Sequence, residues 1–491
     1  MAITLDGRTL TIEQAIEVAE RNAKVKASPT SLKQMEKFRV LLEQKLTRGE
    51  VVYGVNTGFG SLSDKIIHSE SLGELQLNLV RSHAAGVGPP LSPEIVRAAM
   101  LIRLNNLLIG NSAARREVAE LFVGLLNKGI TPLVPEFGSL GASGDLVPSA
   151  HMALTMLGEG KAYHRGKLKE SAKALSASRL RPITLHAKEG LSLINGTAFT
   201  TALGCITVHR SDTLLRAANS TIAFTAEVLE ACSQSFDEKL IGVKLDAGQE
   251  QVAKQIRSLF KGSRRIRSEP VPQDPYSIRC GPQVHGALWD AIEFSRRAVI
   301  SEMNSVSDNP ILLEDGSVLH GGNFHAQPVA MVLDLLSVAL SYLGVISLAR
   351  IHYLLSRTPP ESKYMASKPG LESGLMLLEY TATSLTSDNS VRIYPASSFP
   401  ANVSGGVEDH ASHGVNAGTK TLKVANNISR ILAIELICAS NVLGLIESGV
   451  SDHAKQVSGF VRVVSPLLRG DRSQSEEIEI LANEILAGNL P

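Results

Sequence analysis

The stretch GSLGASGDLVPSAHMAL, Gly138 to Leu154, sets Ala142-Ser143-Gly144 beside Asp145 where a helix is expected to begin. Several chemistries use residues of these types. A phosphate loop needs GxxxxGK followed by Ser or Thr, and nothing of that kind follows Gly144. A hydrolase elbow needs GxSxG, and the last position here is Asp145. A tight turn into a helix with Asp145 as N-cap needs only what is present. A further reading uses the smallness itself. The amide nitrogen of Gly144 can reach the carbonyl carbon of Ala142 when no bulky group intervenes, and glycine permits the bend. Loss of one water closes a ring, and loss of a second, from Ser143, leaves an exocyclic methylene, a strong electrophile. Asp145 is placed to move protons during closure. A helix starting near Leu146 would aim its positive end at the ring. On local sequence alone the plain turn and the backbone ring both stand.

In this motif the chain resembles the aromatic amino-acid ammonia-lyase family, whose electrophile, 4-methylidene-imidazole-5-one (MIO), forms from an Ala-Ser-Gly triplet. The resemblance extends over nearly the whole chain. It is carried by YGVNTGFG (Tyr53 to Gly60), VRSHAAGVG (Val80 to Gly88), NGT (Asn195 to Thr197), QDPYSIRCGPQVHGA (Gln273 to Ala287), and NPI with GGNFHAQP (Asn309 to Ile311, Gly321 to Pro328). It implies loss of ammonia from an α-amino acid, an MIO group made from Ala142-Ser143-Gly144, and no metal or external cofactor.

Such a reaction must turn an amine into a leaving group and must remove a weakly acidic β-proton. The methylene addresses the first need. Tyr53, matching the family's catalytic tyrosine, is expected to serve as the base for the second. Arg279 has the planar fork that suits a substrate carboxylate. Asn195 and Asn323 are expected to hold that carboxylate or to hydrogen-bond the MIO carbonyl oxygen. Tyr276 would donate to the same region, Gln273 would orient the network, and Phe324 would line the pocket.

Two positions bear on which amino acid is used. Ser82-His83 is similar to the histidine-specific members of the family, and His83 can hydrogen-bond an imidazole. Against a bare phenyl ring it would be left unpaired. Glu408, in VEDHASHG, aligns with the acidic residue those members use near the imidazole. The implied reaction is L-histidine to trans-urocanate and ammonia. A phenylalanine or tyrosine ammonia-lyase, or an aminomutase, is the alternative: Gln327 stands where histidine-type members often carry Glu, and VEDHASHG differs from the usual QEDHVSM. Glu408, Asp409, His410 and His413 lack an HExxH arrangement, so no metal is expected.

The elements that must position these residues read as helices. Thr11 to Asn22, Ser31 to Arg48, Ser71 to Ala85, Pro93 to Ile109 and Ala113 to Lys128 carry helical patterns, with Thr11 a candidate cap. Val51 to Gly60 reads as a shaped loop, and Lys161 to Lys188 as a small β region. From Gly190 long apolar stretches recur: Leu191–Cys232, Gly286–Val306, Val329–Leu355, Gly374–Thr386 and Gly414–Ser448. Pro270 to Pro282 and Ser387 to Gly406 read as loops. The expected fold is mainly α with little β. An α-rich domain, residues 1–190, carries the tyrosine loop and the MIO loop, and residues 191–491 form an elongated helical bundle.

Helices apolar on all sides need neighbours, so a homo-oligomer is expected, and the family resemblance implies a homotetramer with shared active sites. Charged residues make up 20% of the chain, below the usual level of roughly 25%. The net charge of +1, with no basic run, argues against nucleic acid or anionic membrane as a partner. The apolar Val329–Leu355 contains Asp334, Arg350 and His352 and reads as a buried helix rather than a membrane span. Four scattered cysteines, none in a CxxC pair, and an N-terminus without a signal-peptide pattern fit the cytoplasm.

Overall fold

A computed structural model describes residues 2–62, 64–446 and 448–491. The chain is 59% helical with 8% strand, the mainly α fold expected. The early helices are Ile12–Ala19, Pro29–Thr47, Leu72–His83, Pro93–Leu107 and Arg116–Lys128. Thr11 does cap the first, in a reciprocal capping box closed by Gln14. The β region is a three-stranded antiparallel sheet in which Lys161–His164 lies between Ile130–Pro132 and Lys167–Glu170. The long helices are Ala198–Val228, Gly281–Met303, Gln327–Ser356, Met376–Arg392 and Gly414–Leu443.

Packing groups the chain into two compact units, each assembled from three stretches, rather than dividing it at one point near residue 190. The first comprises Met1–His209, Ser295–Leu333 and Pro395–Thr419; the second comprises Arg210–Phe294, Asp334–Tyr394 and Lys420–Pro491. The reason lies in the long helices, since four of the five change unit part-way along their length.

In the first unit the helix Pro93–Leu107 is buried on nearly every side, including its polar residues Arg97, Arg103, Asn105 and Asn106. Those side chains bind backbone groups of other segments. Arg97 Nη2 donates to Val18 O at 2.8 Å, Asn105 Oδ1 accepts from Gly7 N at 3.0 Å, and Asn106 Nδ2 donates to Ser305 O at 2.8 Å. A buried polar group tolerated only with partners thus fixes which loops lie on the helix.

The second unit is organised around a buried ion pair. Arg350 and Glu435 are both 0% exposed and joined by two bonds of 2.6 and 2.8 Å. Thr225 and Ser347 supply hydroxyl donors to the same carboxylate, and Arg350 Nη1 donates to Ser277 O at 3.1 Å. The helix Gln327–Ser356 is long and apolar enough to cross a membrane, yet 72% of its most apolar window is buried in the fold, as in a core helix.

The apolar stretch from Leu191 holds two helices: Glu189–Ile194 ends at Asn195, and a new helix starts at Ala198. Two sequence expectations change. The loop expected from Ser387 begins later, because Met376–Arg392 continues as helix through residues with helical hydrogen bonds and an Arg392–Asp388 ion pair one turn apart. Pro270–Pro282 contains a helical turn, Tyr276–Arg279.

Candidate active site

Ala142 and Gly144 are buried and Ser143 half-buried, immediately before the helix Leu146–Met156. Gly144 has φ +80°, and a Cβ there would stand 2.4 Å from Gly196 O, so only glycine fits. Gly144 and Gly196 form a parallel bridge, and Asp145 N donates to Gly196 O at 2.7 Å. The bare backbone of the triplet therefore lies against the bare backbone of the NGT segment. Asn195 Nδ2 donates to Ser143 O at 2.8 Å. That oxygen is the carbonyl a ring between Ala142 C and Gly144 N would keep. Asn195 is 3% exposed and its Oδ1 is buried without a partner.

Asp145 occupies the N-cap position of its helix but makes no side-chain cap bond there. Its carboxylate turns instead to the first turn of Ala198–Val228, accepting from Thr200 N at 2.7 Å, Thr200 Oγ1 at 2.8 Å and Ser139 Oγ at 3.2 Å. Burial pushes its pKa up to about 6, against those lowering hydrogen bonds. Close by, Thr197 Oγ1 donates to Glu302 Oε1 at 2.5 Å, and burial raises the Glu302 pKa as well. A third segment closes over the motif: His413 N donates to Leu140 O at 2.8 Å, and Ser412 N to Gly141 O.

Tyr53 sits in a loop whose shape is fixed from within. Thr57 Oγ1 accepts from Gly54 N and Asn56 Oδ1 from Val52 N. Gln76 ties this loop to the Asn195 segment, donating to Gly54 O and accepting from Leu191 N. Gly60 N donates to Tyr53 Oη at 3.2 Å, and the ring meets His320 edge-on with centroids 5.8 Å apart.

His83 ends the helix Leu72–His83, with Nδ1 2.8 Å from Leu79 O. Burial lowers its pKa, while the Leu79 carbonyl and the charge of Glu408 pull the other way. His83 is therefore neutral at pH 7, with Nδ1–H donated and Nε2 left as an acceptor. Glu408 is half-buried, on a tight turn closed by an antiparallel bridge to Val403. Asn323 is exposed and donates to Val306 O at 3.4 Å; Phe324 is half-buried. The next residue, His325, stacks on His410 with centroids 5.3 Å apart.

Gln273, Tyr276 and Arg279 belong to the second unit and form their own cluster. Arg279 Nη1 donates to Gln273 Oε1 at 2.9 Å, and its guanidinium lies 4.6 Å from the Tyr276 ring centroid. Tyr276 is 70% exposed.

The fold thus joins Asn195 to Ser143 and sets Glu408 in the field of His83. Sequence reasoning passed over Thr200 and Arg103, and gave no role to Ser139 and Gly196 within their motifs. One signal for Arg103 was legible: a lone cation in the apolar run AAMLIRLNNLLI demands a buried partner.

The family model described as "Aromatic amino acid lyase" matches residues 10–464. The chain is 42% identical to the histidine ammonia-lyase of Symbiobacterium thermophilum, over 99% of this chain and 96% of that protein. Among solved structures it is similar to the histidine ammonia-lyase of Trypanosoma cruzi (TM-score 0.92, 36% identity, 100% of this chain and 94% of that one). It is similar also to the tyrosine aminomutase of Streptomyces globisporus (TM-score 0.94, 34% identity, 100% and 98%).

Proposed function

The chain belongs to the aromatic amino acid lyase family, and from that premise we propose that it eliminates ammonia from L-histidine to give trans-urocanate on an MIO group made from Ala142-Ser143-Gly144. The observation that carries this reading is the Asn195 amide on Ser143 O, across a Gly144–Gly196 contact that leaves no room for a side chain. Once formed, the group would supply an electrophilic methylene that activates the substrate for loss of its amine.

The protein's own residues do the rest. Asn195, itself 3% exposed, donates to the oxygen on which negative charge would develop. Tyr53 is the base for the β-proton; the Gly60 N–H holds Oη as an acceptor and so fixes the phenol's direction. His83, neutral with Nε2 open, accepts an imidazole N–H, and Glu408 fixes the substrate tautomer. Arg279, steadied by Gln273 and Tyr276, takes the carboxylate. Phe324 lines the pocket and Asn323 borders it.

The working form proposed is a cytoplasmic homotetramer with sites shared between chains. Two features support association. Met331, Leu335, Tyr342 and Val345 are 48, 39, 44 and 55% exposed along one helix, at the spacing of a heptad seam. The exposed Tyr276–Arg279–Gln273 cluster offers a second chain substrate-binding groups.

The test is incubation with L-histidine, L-phenylalanine and L-tyrosine in turn. Urocanate absorbance from L-histidine alone is expected. Cinnamate, coumarate or a β-amino acid in its place would move the assignment to the other branches of the family. No urocanate from L-histidine would overturn it.

A further inference from the structure

We propose that Arg103, which touches neither the ring-forming triplet nor any residue placed on the substrate, is a positioning residue for ring formation: it is the rear wall that seats Gly196 against Gly144. The inference rests on the reading that Ala142-Ser143-Gly144 cyclise. Closure forms a bond from Gly144 N to Ala142 C. The Ala142 oxygen leaves as water with the two amide hydrogens of Ser143 and Gly144. A second water takes the Ser143 hydroxyl and its Cα hydrogen. An amide nitrogen is a poor nucleophile, so the reaction depends on how closely it is held to the carbonyl carbon.

Arg103 lies mid-helix among apolar residues and is 1% exposed. Its fork holds two carbonyls at once: Nη1 donates to Ser307 O at 3.0 Å and Nη2 to Ser192 O. Those carbonyls flank the segment that carries Asn195 and Gly196. The charge is answered by Asp308, whose Oδ2 also accepts from Lys188 Nζ at 2.7 Å, with Lys188 2% exposed and Asp308 1%. Lys188 Nζ reaches Ser192 Oγ, and Ser192 Oγ donates to Ser112 O at 2.9 Å. Residues 188–192 and 307–308 are thereby pinned to one guanidinium.

Gly196 is squeezed from both sides. Its φ is +150°, and a Cβ there would lie 2.6 Å from Arg103 Nη1 and 2.2 Å from Ser307 O. On its other face, a Cβ on Gly144 would lie 2.4 Å from Gly196 O. The Gly196 peptide is thus in close approach to Arg103 on one side and to Gly144 on the other. A shift of Arg103 moves that peptide, and with it the Gly196 O that receives Asp145 N and the Asn195 amide on Ser143 O. Lysine would keep the charge but not the fork, since an ammonium cannot span two fixed carbonyls in this geometry.

The experiment is intact mass against time after synthesis, read on folded chains selected by size-exclusion and helical circular dichroism. It compares wild type, Arg103→Lys and Arg103→Met. The Met variant leaves Lys188 and Asp308 as a neutral pair, so no buried charge is stranded, and it is the second test should Arg103→Lys yield no folded chain. Wild type should become lighter by two waters. In the variants that loss should be slower by about tenfold or more, as expected for a displacement of a fraction of an ångström to one ångström. A folded variant that loses two waters as fast as wild type, however much its thermal stability has dropped, overturns the proposal and leaves Arg103 a purely structural residue. A wild-type chain that never loses mass overturns the underlying ring reading itself, whatever the variants do.

Discussion

Replacing Asn195 with alanine separates the cost to folding from the cost to reaction. In the folded chain Asn195 contributes one side-chain bond, Nδ2 to Ser143 O at 2.8 Å, and its Oδ1 has no partner to lose. Its backbone N–H still donates to Leu191 O. Truncation therefore leaves one partly buried carbonyl without its donor, which costs at most about 1–3 kcal/mol of stability. In the proposed reaction the same oxygen would receive negative charge, and loss of one such preorganised donor costs about 2.7–4 kcal/mol, or 10²–10³ in kcat. The assay is initial rate of urocanate formation at saturating L-histidine, with urea denaturation and intact mass on the same preparation. Mass certifies that the ring has formed, so the rate then reports the hydrogen bond alone. A fully matured Asn195→Ala chain with kcat within about threefold of wild type would refute the assignment of Ser143 O as the charge-bearing oxygen.

Gly144→Ala meets both a left-handed φ and Gly196 O at 2.4 Å, so a loss of about 2–4 kcal/mol in urea denaturation is expected, with the mass left unmodified. Asp145 has its folded pKa raised from 3.8 to about 6. The folded state then binds the proton more tightly. Asp145's contribution is full below about pH 4 and is lost as pH rises through about 6, a swing of about 3 kcal/mol that Asp145→Asn should remove from the pH dependence of the urea midpoint. Arg350→Leu should cost about 3–5 kcal/mol by stranding the buried Glu435, and adding Glu435→Leu should restore much of it in the same denaturation assay. Glu408→Gln should lower kcat/KM for L-histidine by about tenfold or more, through loss of a charged hydrogen-bond partner, and an unchanged value would remove Glu408 from the imidazole site.

Much of this protein is legible in one dimension. The ring motif needs small residues in immediate succession, and succession is what a sequence records, so Ala142-Ser143-Gly144 and its following helix stood out at once. Helices with strong periodicity, such as Arg116–Lys128, and the apolar length of Gln327–Ser356 were equally open to reading. What the tertiary structure decided concerns partners far apart in the chain. Gly196 lies opposite Gly144 from 52 residues away, with Asn195 equally far from Ser143. Asp145 serves the helix at Thr200 rather than its own. Arg103 answers to Ser307 and Asp308, roughly two hundred residues further along. No local pattern can announce such pairings, because burial, close approach and a satisfied hydrogen bond are properties of two segments at once. Local chemistry determined which groups could react. Packing decided which backbone presses on them, which donor meets the Ser143 oxygen, and which distant cation lies behind Gly196.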